Sequence, residues 1–218
     1  AARWLVAQER DNEEAHRNLG LALAAQGRSA EALASLVEAT PEQATQILAG
    51  VLHQGGKLPE ALSVLDYASR WYTRADQWLT CGGIVYAAMD NPRTVKAYAT
   101  AYQLVPSAFD TSQLNAYAGV LDEVGDSKTC ETIANALIKA AGKDVLWLTN
   151  GWHHLACACI GLGRHDEAVK LMKKAIEKNP MPENAEVFAK TMERAKKKQR
   201  FEAPPQVPTE PVRHDAYL

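Results

Sequence analysis

Residues 78–106 read WLTCGGIVYAAMDNPRTVKAYATAYQLVP, and this stretch decides the fold. In its first half Gly82 follows Trp78 by four residues, and in its second half Tyr98 has small residues one helical turn away on either side. Residues three and four apart share one face of a helix, so each half predicts a helix with one close-packing face. The intervening Asp90-Asn91-Pro92 ends one helix and begins another, since proline cannot continue a helix but opens one well. The stretch therefore predicts a helix–turn–helix hairpin.

The same arrangement occurs five times along the chain. Four other segments carry a glycine followed five residues later by a small residue, namely Gly27 with Ala32, Gly56 with Ala61, Gly125 with Cys130 and Gly163 with Ala168. A small residue also recurs upstream of each turn, at Gly20, Ala49, Gly82, Ala118 and Ala156. Positions 32, 61, 94, 130 and 168 are equivalent and lie 29, 33, 36 and 38 residues apart. Such a period is typical of helical solenoids, in which neighbouring repeats bury one continuous core.

These repeats resemble the tetratricopeptide repeat, whose pattern is W-x2-L-G-x2-Y, then A-x3-F, then A and P. The third repeat matches as Trp78-x2-Cys81-Gly82-x2-Val85 followed by Thr94-x3-Tyr98-x2-Ala101-x4-Pro106. The fifth matches as Trp152-x2-Leu155-Ala156-x2-Cys159 followed by Ala168-x3-Met172-x2-Ala175-x4-Pro180. The resemblance implies an all-α, right-handed α-solenoid of about five helical hairpins over residues 12–180.

The two ends of the chain do not follow the repeat. Residues 1–11 resemble the second helix of a partial repeat. Residues 181–200 predict a capping helix with an apolar stripe and a lysine-rich face. Residues 201–218 contain four prolines and predict a Pro-rich extended tail with little capacity to form a core. We expect the tail to be held by the chain's own groove, a neighbouring copy or a larger assembly.

Composition excludes several classes of protein. The chain has 218 residues, 47% of them hydrophobic, and a net charge of −2, which disfavours nucleic acid as a partner. It contains no apolar run of the ~18 residues that a membrane span needs. Residues 164–200 hold 11 Lys and Arg against 6 Asp and Glu, so this end is basic and the remainder is acidic. The basic end indicates a solvated helix or an electrostatic contact with an acidic partner.

The resemblance also implies a binding surface, because the first helix of each repeat lines the concave face in this family. The residues expected to bind a partner there are Arg17, Gln46, His53, Gln54, Tyr86, Asn115, Asp122, Asn150 and His153. Gln43 and Asp76 lie on the same lining, over small floor positions at Gly50, Gly83 and Gly119. Small floors let an extended peptide backbone approach closely. A clamp for acidic C-terminal peptides is disfavoured, since only Arg17 and Asn115 match one.

Reactive chemistry has little support in the sequence. His153 and Cys157 share a helix face and suit a metal or an activated thiol, but a zinc site needs three or four ligands and no second motif is present. No glycine-rich phosphate loop, metalloprotease or nucleophile-elbow motif occurs, so we expect neither enzymatic activity nor a cofactor. The four cysteines do not form the dense pattern of a secreted domain, which favours a reducing, cytoplasmic compartment.

The preferred function is a non-enzymatic scaffold, adaptor or assembly subunit that binds a protein or peptide through its concave groove and end faces. One alternative is a chaperone that shields a secreted or assembling client until hand-over. Another is the regulatory arm of an enzyme whose catalytic domain lies upstream. Membership of a larger complex and self-association through the tail are both compatible with the sequence.

Overall fold

The computed structural model describes residues 12–39, 43–87, 89–179 and 181–197. In this part of the chain eleven α-helices follow one another: α1 Glu13–Ala25, α2 Ser29–Ala39, α3 Ala44–Gln54, α4 Leu58–Ala68, α5 Ala75–Ala87, α6 Asn91–Leu104, α7 Thr111–Val124, α8 Ser127–Ala141, α9 Val145–Gly161, α10 His165–Lys178 and α11 Ala185–Lys196. Short 3₁₀ turns occupy Ser69–Trp71, Pro106–Ala108 and Pro182–Asn184. The predicted partial repeat at residues 1–11, the last residues of the predicted cap and the Pro-rich tail lie outside the described residues.

A single type of turn joins the two helices of each repeat. Its glycine adopts the left-handed conformation, with φ between 74° and 79° at Gly27, Gly56, Gly125 and Gly163. The next residue donates its backbone N–H to the carbonyl five residues earlier, as Arg28 does to Leu23 at 3.0 Å and Arg164 to Cys159 at 2.7 Å. This hydrogen bond closes a helix end that would otherwise expose unpaired carbonyl groups. The predicted glycine turns are therefore local helix stops.

The third turn is built in the same way without a glycine. The sequence predicts that Asp90-Asn91-Pro92 ends one helix and begins another, and the structure adds that Met89 holds the left-handed position with φ of 57°. The Asp90 N–H then donates to the Val85 carbonyl at 3.3 Å, and the Asp90 side chain accepts from the Arg93 N–H at 3.3 Å. A bulky residue is rare in this conformation, because its Cβ crowds the backbone.

The described residues divide into two compact units at Val120. In the first unit, small residues mark the places where helices nest. A Cβ on Gly20 would lie 2.6 Å from the Leu36 side chain, and a Cβ on Gly82 would lie 2.5 Å from the Tyr98 ring. The core of this unit includes the fully buried Leu48. The buried core residues of these hairpins have exposed fractions of 0–7%. The recurring small residues thus act as predicted, as contact points between helices.

The second unit has its own core around α9, α10 and α11. Ala156 and Ala168 are fully buried and face Met172, while Phe188 of α11 closes the same cluster. Lys174 places its Nζ 4.7 Å from the centre of the Trp152 ring, a cation–π contact.

All four cysteines are buried free thiols. Among the described helices, none combines the length and apolar character that crossing a bilayer requires.

Candidate functional site

The first helices of two neighbouring hairpins, α3 and α5, enclose a cavity of about 310 Å³ in the first unit. Five residues line it, namely Gln43, Gln46, Ile47, Asp76 and Thr80. Gln43 caps the start of α3 on the same side as positions 46 and 47, and positions 76 and 80 lie one turn apart on α5. The cavity therefore forms where two repeats present the same register positions side by side.

Gln46 is the most deeply set polar group of this cavity. Gln46 is buried, with 8% of the residue's surface exposed. Its only recorded hydrogen bond in the described part of the chain is a long one, 3.4 Å from the Thr45 hydroxyl to Oε1. A carboxamide has two donors and one acceptor oxygen. The Gln46 NH2 group therefore keeps its hydrogen-bonding capacity for whatever enters the cavity.

Two glycines extend the same face by one helical turn. Gly50 follows Gln46 on α3, and Gly83 follows Thr80 on α5, each within four residues. A Cβ added to either would meet nothing within 4 Å, and neither has a positive φ. A helix-interior glycine costs roughly 0.5–1 kcal/mol relative to alanine. Neither internal packing nor backbone conformation requires these two glycines, so what they provide is open space above the helix backbone.

The rim of the cavity on α5 carries a carboxylate. Asp76 is held by Arg74, with Nε to Oδ1 at 3.0 Å and Nη2 to Oδ2 at 2.9 Å. The Thr80 hydroxyl donates to the Asp76 carbonyl at 3.0 Å. Both Asp76 side-chain oxygens accept from Arg74, and further lone pairs stay open to solvent because the side chain is 53% exposed. Register reasoning placed Gln43 and Asp76 on the lining but missed Ile47 and Thr80, which are one position or one turn away from expected residues.

The other predicted residues of the first unit are spread along its helices. Arg17 and Gln54 are exposed, Tyr86 is 43% exposed, and His53 and Asn115 are partly buried. None of these five lines the cavity, whereas Gln46 does. The structure therefore brings Gln46 together with Gln43 and Asp76 and leaves the remaining predicted residues outside this cavity.

In the second unit, α11 and the turn before it cover two of the predicted positions. His153 Nε2 lies 3.0 Å from the Thr191 Oγ1, and its ring stacks on Phe188 with centres 5.0 Å apart. Asn184 donates through Nδ2 to Asn150 Oδ1 at 3.4 Å. The prediction placed these two side chains in an open groove. They instead contact α11 and the turn before it, because α11 packs on α9 as another repeat would.

Burial also decides the protonation of this region. Burial, assisted by the neighbouring His154 and Arg194, lowers the pKa of His153 to about 3. Burial raises the pKa of the Cys157 thiol well above its usual value, although the sulfur lies 3.7 Å from His153 Nε2. Burial likewise raises the pKa of Asp122, which hydrogen-bonds Cys157. A neutral thiol beside a neutral imidazole is not an activated nucleophile.

No metal cluster is seen in the described residues, where no three His, Cys, Asp or Glu side chains converge. His153 and Cys157 pack and hydrogen-bond within this part of the chain. The open cavity between α3 and α5 offers hydrogen-bonding groups from Gln43, Gln46, Asp76 and Thr80.

Comparison with known proteins defines the class. The family model described as tetratricopeptide repeat matches twice, over residues 14–38 and 149–181. YrrB, a tetratricopeptide-repeat protein with an unusual peptide-binding site, superposes with a TM-score of 0.64 at 15% identity, covering 87% of this chain and 98% of YrrB. The chain carries hairpin repeats of this kind throughout its described part. It therefore contains tetratricopeptide repeats at these two segments and has the fold of tetratricopeptide-repeat proteins.

Two further solved structures share the fold. The MamA protein aligns with a TM-score of 0.56 at 18% identity, over 88% of this chain and 98% of MamA. MamA from Desulfovibrio magneticus RS-1, from residue 41 of that protein onward, aligns with a TM-score of 0.53 at 16% identity, over 72% and 94%. A search of curated proteins finds no match to the sequence.

Proposed function

We propose that this protein is a non-enzymatic interaction scaffold that holds an extended peptide segment across α3 and α5. The proposal rests on Gly50 and Gly83, two glycines that neither internal packing nor backbone conformation requires. They sit at equivalent positions of adjacent repeats, and each leaves the helix backbone uncovered. A protein keeps a destabilising residue where function needs it, and close approach of a second backbone is a recognised use of glycine.

The polar groups beside the glycines suit a peptide main chain. Gln46 and Gln43 offer both donors and acceptors, which match the alternating N–H and C=O groups of an extended strand. The Arg74–Asp76 ion pair makes the rim polar but balanced in charge, so an uncharged main chain suits it. YrrB shares the fold and has a peptide-binding site, which supports a peptide as the ligand class.

The test uses a display library of random peptides selected on the full chain. Peptides that enrich are then titrated against Gly50→Leu and Gly83→Leu, which fill the open space with side chains. We expect each substitution to weaken binding at least about tenfold, since the backbone of the ligand is displaced.

Gln103→Leu serves as the matched control, because Gln103 is an exposed residue of α6, a second helix that does not line the cavity. It should leave binding unchanged. Peptides that bind Gly50→Leu and Gly83→Leu as well as the original chain would place the binding site elsewhere and refute the proposal.

A further inference from the structure

Two neighbouring aromatic side chains stand out from the surface at the end of α4. Trp71 is 72% exposed and Tyr67 is 63% exposed. Of the aromatic residues that the structure describes, these two alone exceed half exposure. A single exposed apolar residue is ordinary, but two large rings one turn apart form a patch, and tryptophan and tyrosine dominate the energetics of binding surfaces. We call these two residues the aromatic patch.

The backbone under the patch is fixed by internal contacts. Ser69 donates from Oγ to the Asp66 carbonyl at 3.1 Å, which continues α4 into the 3₁₀ turn that ends at Trp71. The next residue, Tyr72, turns inward, packs edge-on against Trp78 with centres 5.6 Å apart and lies 3.4 Å from the Thr45 hydroxyl. Tyr72 therefore anchors the turn, while the Trp71 ring beside it faces solvent.

The patch is separate from the peptide groove. Tyr67 lies on α4, the second helix of its hairpin, and Trp71 lies on the 3₁₀ turn that follows it. The groove is built from α3 and α5, the first helices of their hairpins. Neither Tyr67 nor Trp71 lines the cavity, so a contact at the aromatic patch does not require the proposed peptide site.

The chain itself contains a segment with matching chemistry. Pro205, Pro208 and Pro211 recur at every third residue of the sequence. A polyproline II helix has three residues per turn and rises about 3.1 Å per residue, so these prolines would align on one edge about 9 Å apart. Proline-rich segments of this kind bind surfaces made of exposed aromatic rings, and their stiffness keeps the entropic cost of binding low.

The proline segment is connected to the last described helix by a short stretch of chain. Pro205 follows Lys197, the last described residue, by eight positions, which span at most about 28 Å when extended. We propose that the segment from Pro205 to Pro211 of one copy docks on the aromatic patch of a second copy. The contact joins different surfaces of the two molecules, so it is heterologous, and its small area makes it weak.

The experiment is a complementation test with two full-length variants. One copy carries Tyr67→Ser with Trp71→Ser, and the other carries Pro205→Ser, Pro208→Ser and Pro211→Ser. Sedimentation equilibrium should show that the unaltered chain self-associates with a dissociation constant on the order of 100 μM or tighter. Each variant alone should associate at least about tenfold more weakly. An equimolar mixture should recover association, since one partner keeps the patch and the other keeps the prolines.

Two controls separate this contact from general stickiness. Leu104→Ser removes another exposed apolar side chain, 47% exposed, away from the patch. Pro204→Ser removes a proline that does not lie in the three-residue series. Both should leave self-association intact, and circular dichroism should confirm that every variant keeps its helix content.

Three results would overturn the proposal. The first is an unaltered chain that stays monomeric across the concentration range. The second is self-association that survives loss of the patch or of the prolines. The third is a mixture of the two variants that does not recover association, which would place the segment on its own chain or elsewhere.

Discussion

At the scale of single residues, two adjacent glycines of α5 do opposite work. A Cβ on Gly82 would lie 2.5 Å from the Tyr98 ring, whereas a Cβ on Gly83 would meet nothing within 4 Å. Gly82 thus permits two helices to nest, and Gly83 leaves a surface uncovered. Their shared residue type hides two different physical reasons.

The pair gives a prediction with opposite signs. Gly82→Ala should lower the free energy of unfolding by roughly 1–3 kcal/mol, because it overpacks the contact with Tyr98. Gly83→Ala should raise it by roughly 0.5–1 kcal/mol, because alanine is the better helix former. Urea denaturation of the two variants measures both values. A loss of stability in Gly83→Ala would mean that this glycine has a packing role after all.

Register alone could find part of the binding site. Gln46, Gly50 and Gly83 follow from the position of each residue within its repeat, since equivalent positions face the same way. Register could not show that Gln46 would be buried with one weak hydrogen bond, because that depends on the neighbouring helix. The same register misplaced His153 and Asn150, whose surroundings are set by residues 181–196.

At the scale of helices, the packing of α11 on α9 depends on an uncharged histidine. The groups that face His153 are His154 and Cys157 from its own helix, and Thr191, Phe188 and Arg194 from α11. Arg194 and His154 both oppose a positive charge on the imidazole. Protonation therefore disfavours the folded arrangement of these helices.

This gives a pH prediction whose sign is fixed by the pKa shift. The pKa of His153 is about 3 in the folded chain, against about 6.5 in an unfolded one. The unfolded state then binds more protons, so stability is full above pH 6.5 and falls as the pH drops toward 3. At pH 5 the loss from His153 should be about 2 kcal/mol.

His153→Gln is the matched variant, because glutamine can still hydrogen-bond Thr191 but does not titrate. Its free energy of unfolding, measured from pH 7.5 to 4, should decline less steeply than that of the unaltered chain. The raised pKa of Asp122 acts in the opposite direction in acid, and it is common to both proteins. Parallel curves for the two proteins would show that His153 is charged without penalty.

At the scale of the whole molecule, the reactivity of the four thiols measures how well each compact unit is packed. Burial raises the pKa of Cys81 and of Cys159 to about 11, and it raises those of Cys130 and Cys157 as well. Cys81 lies in the first unit, and the other three lie in the second.

We expect all four thiols to resist Ellman's reagent at pH 8. The thiolate fraction of Cys81 and Cys159 should be roughly 100-fold below that of a free cysteine, and the thiolate is the reacting species. Four equivalents should react once urea unfolds the chain. A thiol that reacts within seconds in the native protein would contradict the burial described for it.

The hairpins were the most predictable part of the molecule, and their grouping the least. Each repeat carries its own glycine and small residues, so local contacts alone indicate where helices begin and end. The division at Val120 falls inside α7, and no composition change marks it in the sequence. The repeat pattern is the same for every pair of neighbouring repeats. It therefore gives little information on where the boundary between compact units falls.

The turn at Met89 has a consequence for how these hairpins are held. A methionine there adopts the same left-handed geometry as the four glycines, although its side chain is 85% exposed and makes no compensating burial. The turn between α5 and α6 therefore keeps the left-handed geometry of the glycine turns although its residue is not a glycine. The left-handed backbone at Met89 costs about 1 kcal/mol of folding free energy. Met89→Gly should remove this cost and leave the cavity and the aromatic patch unchanged.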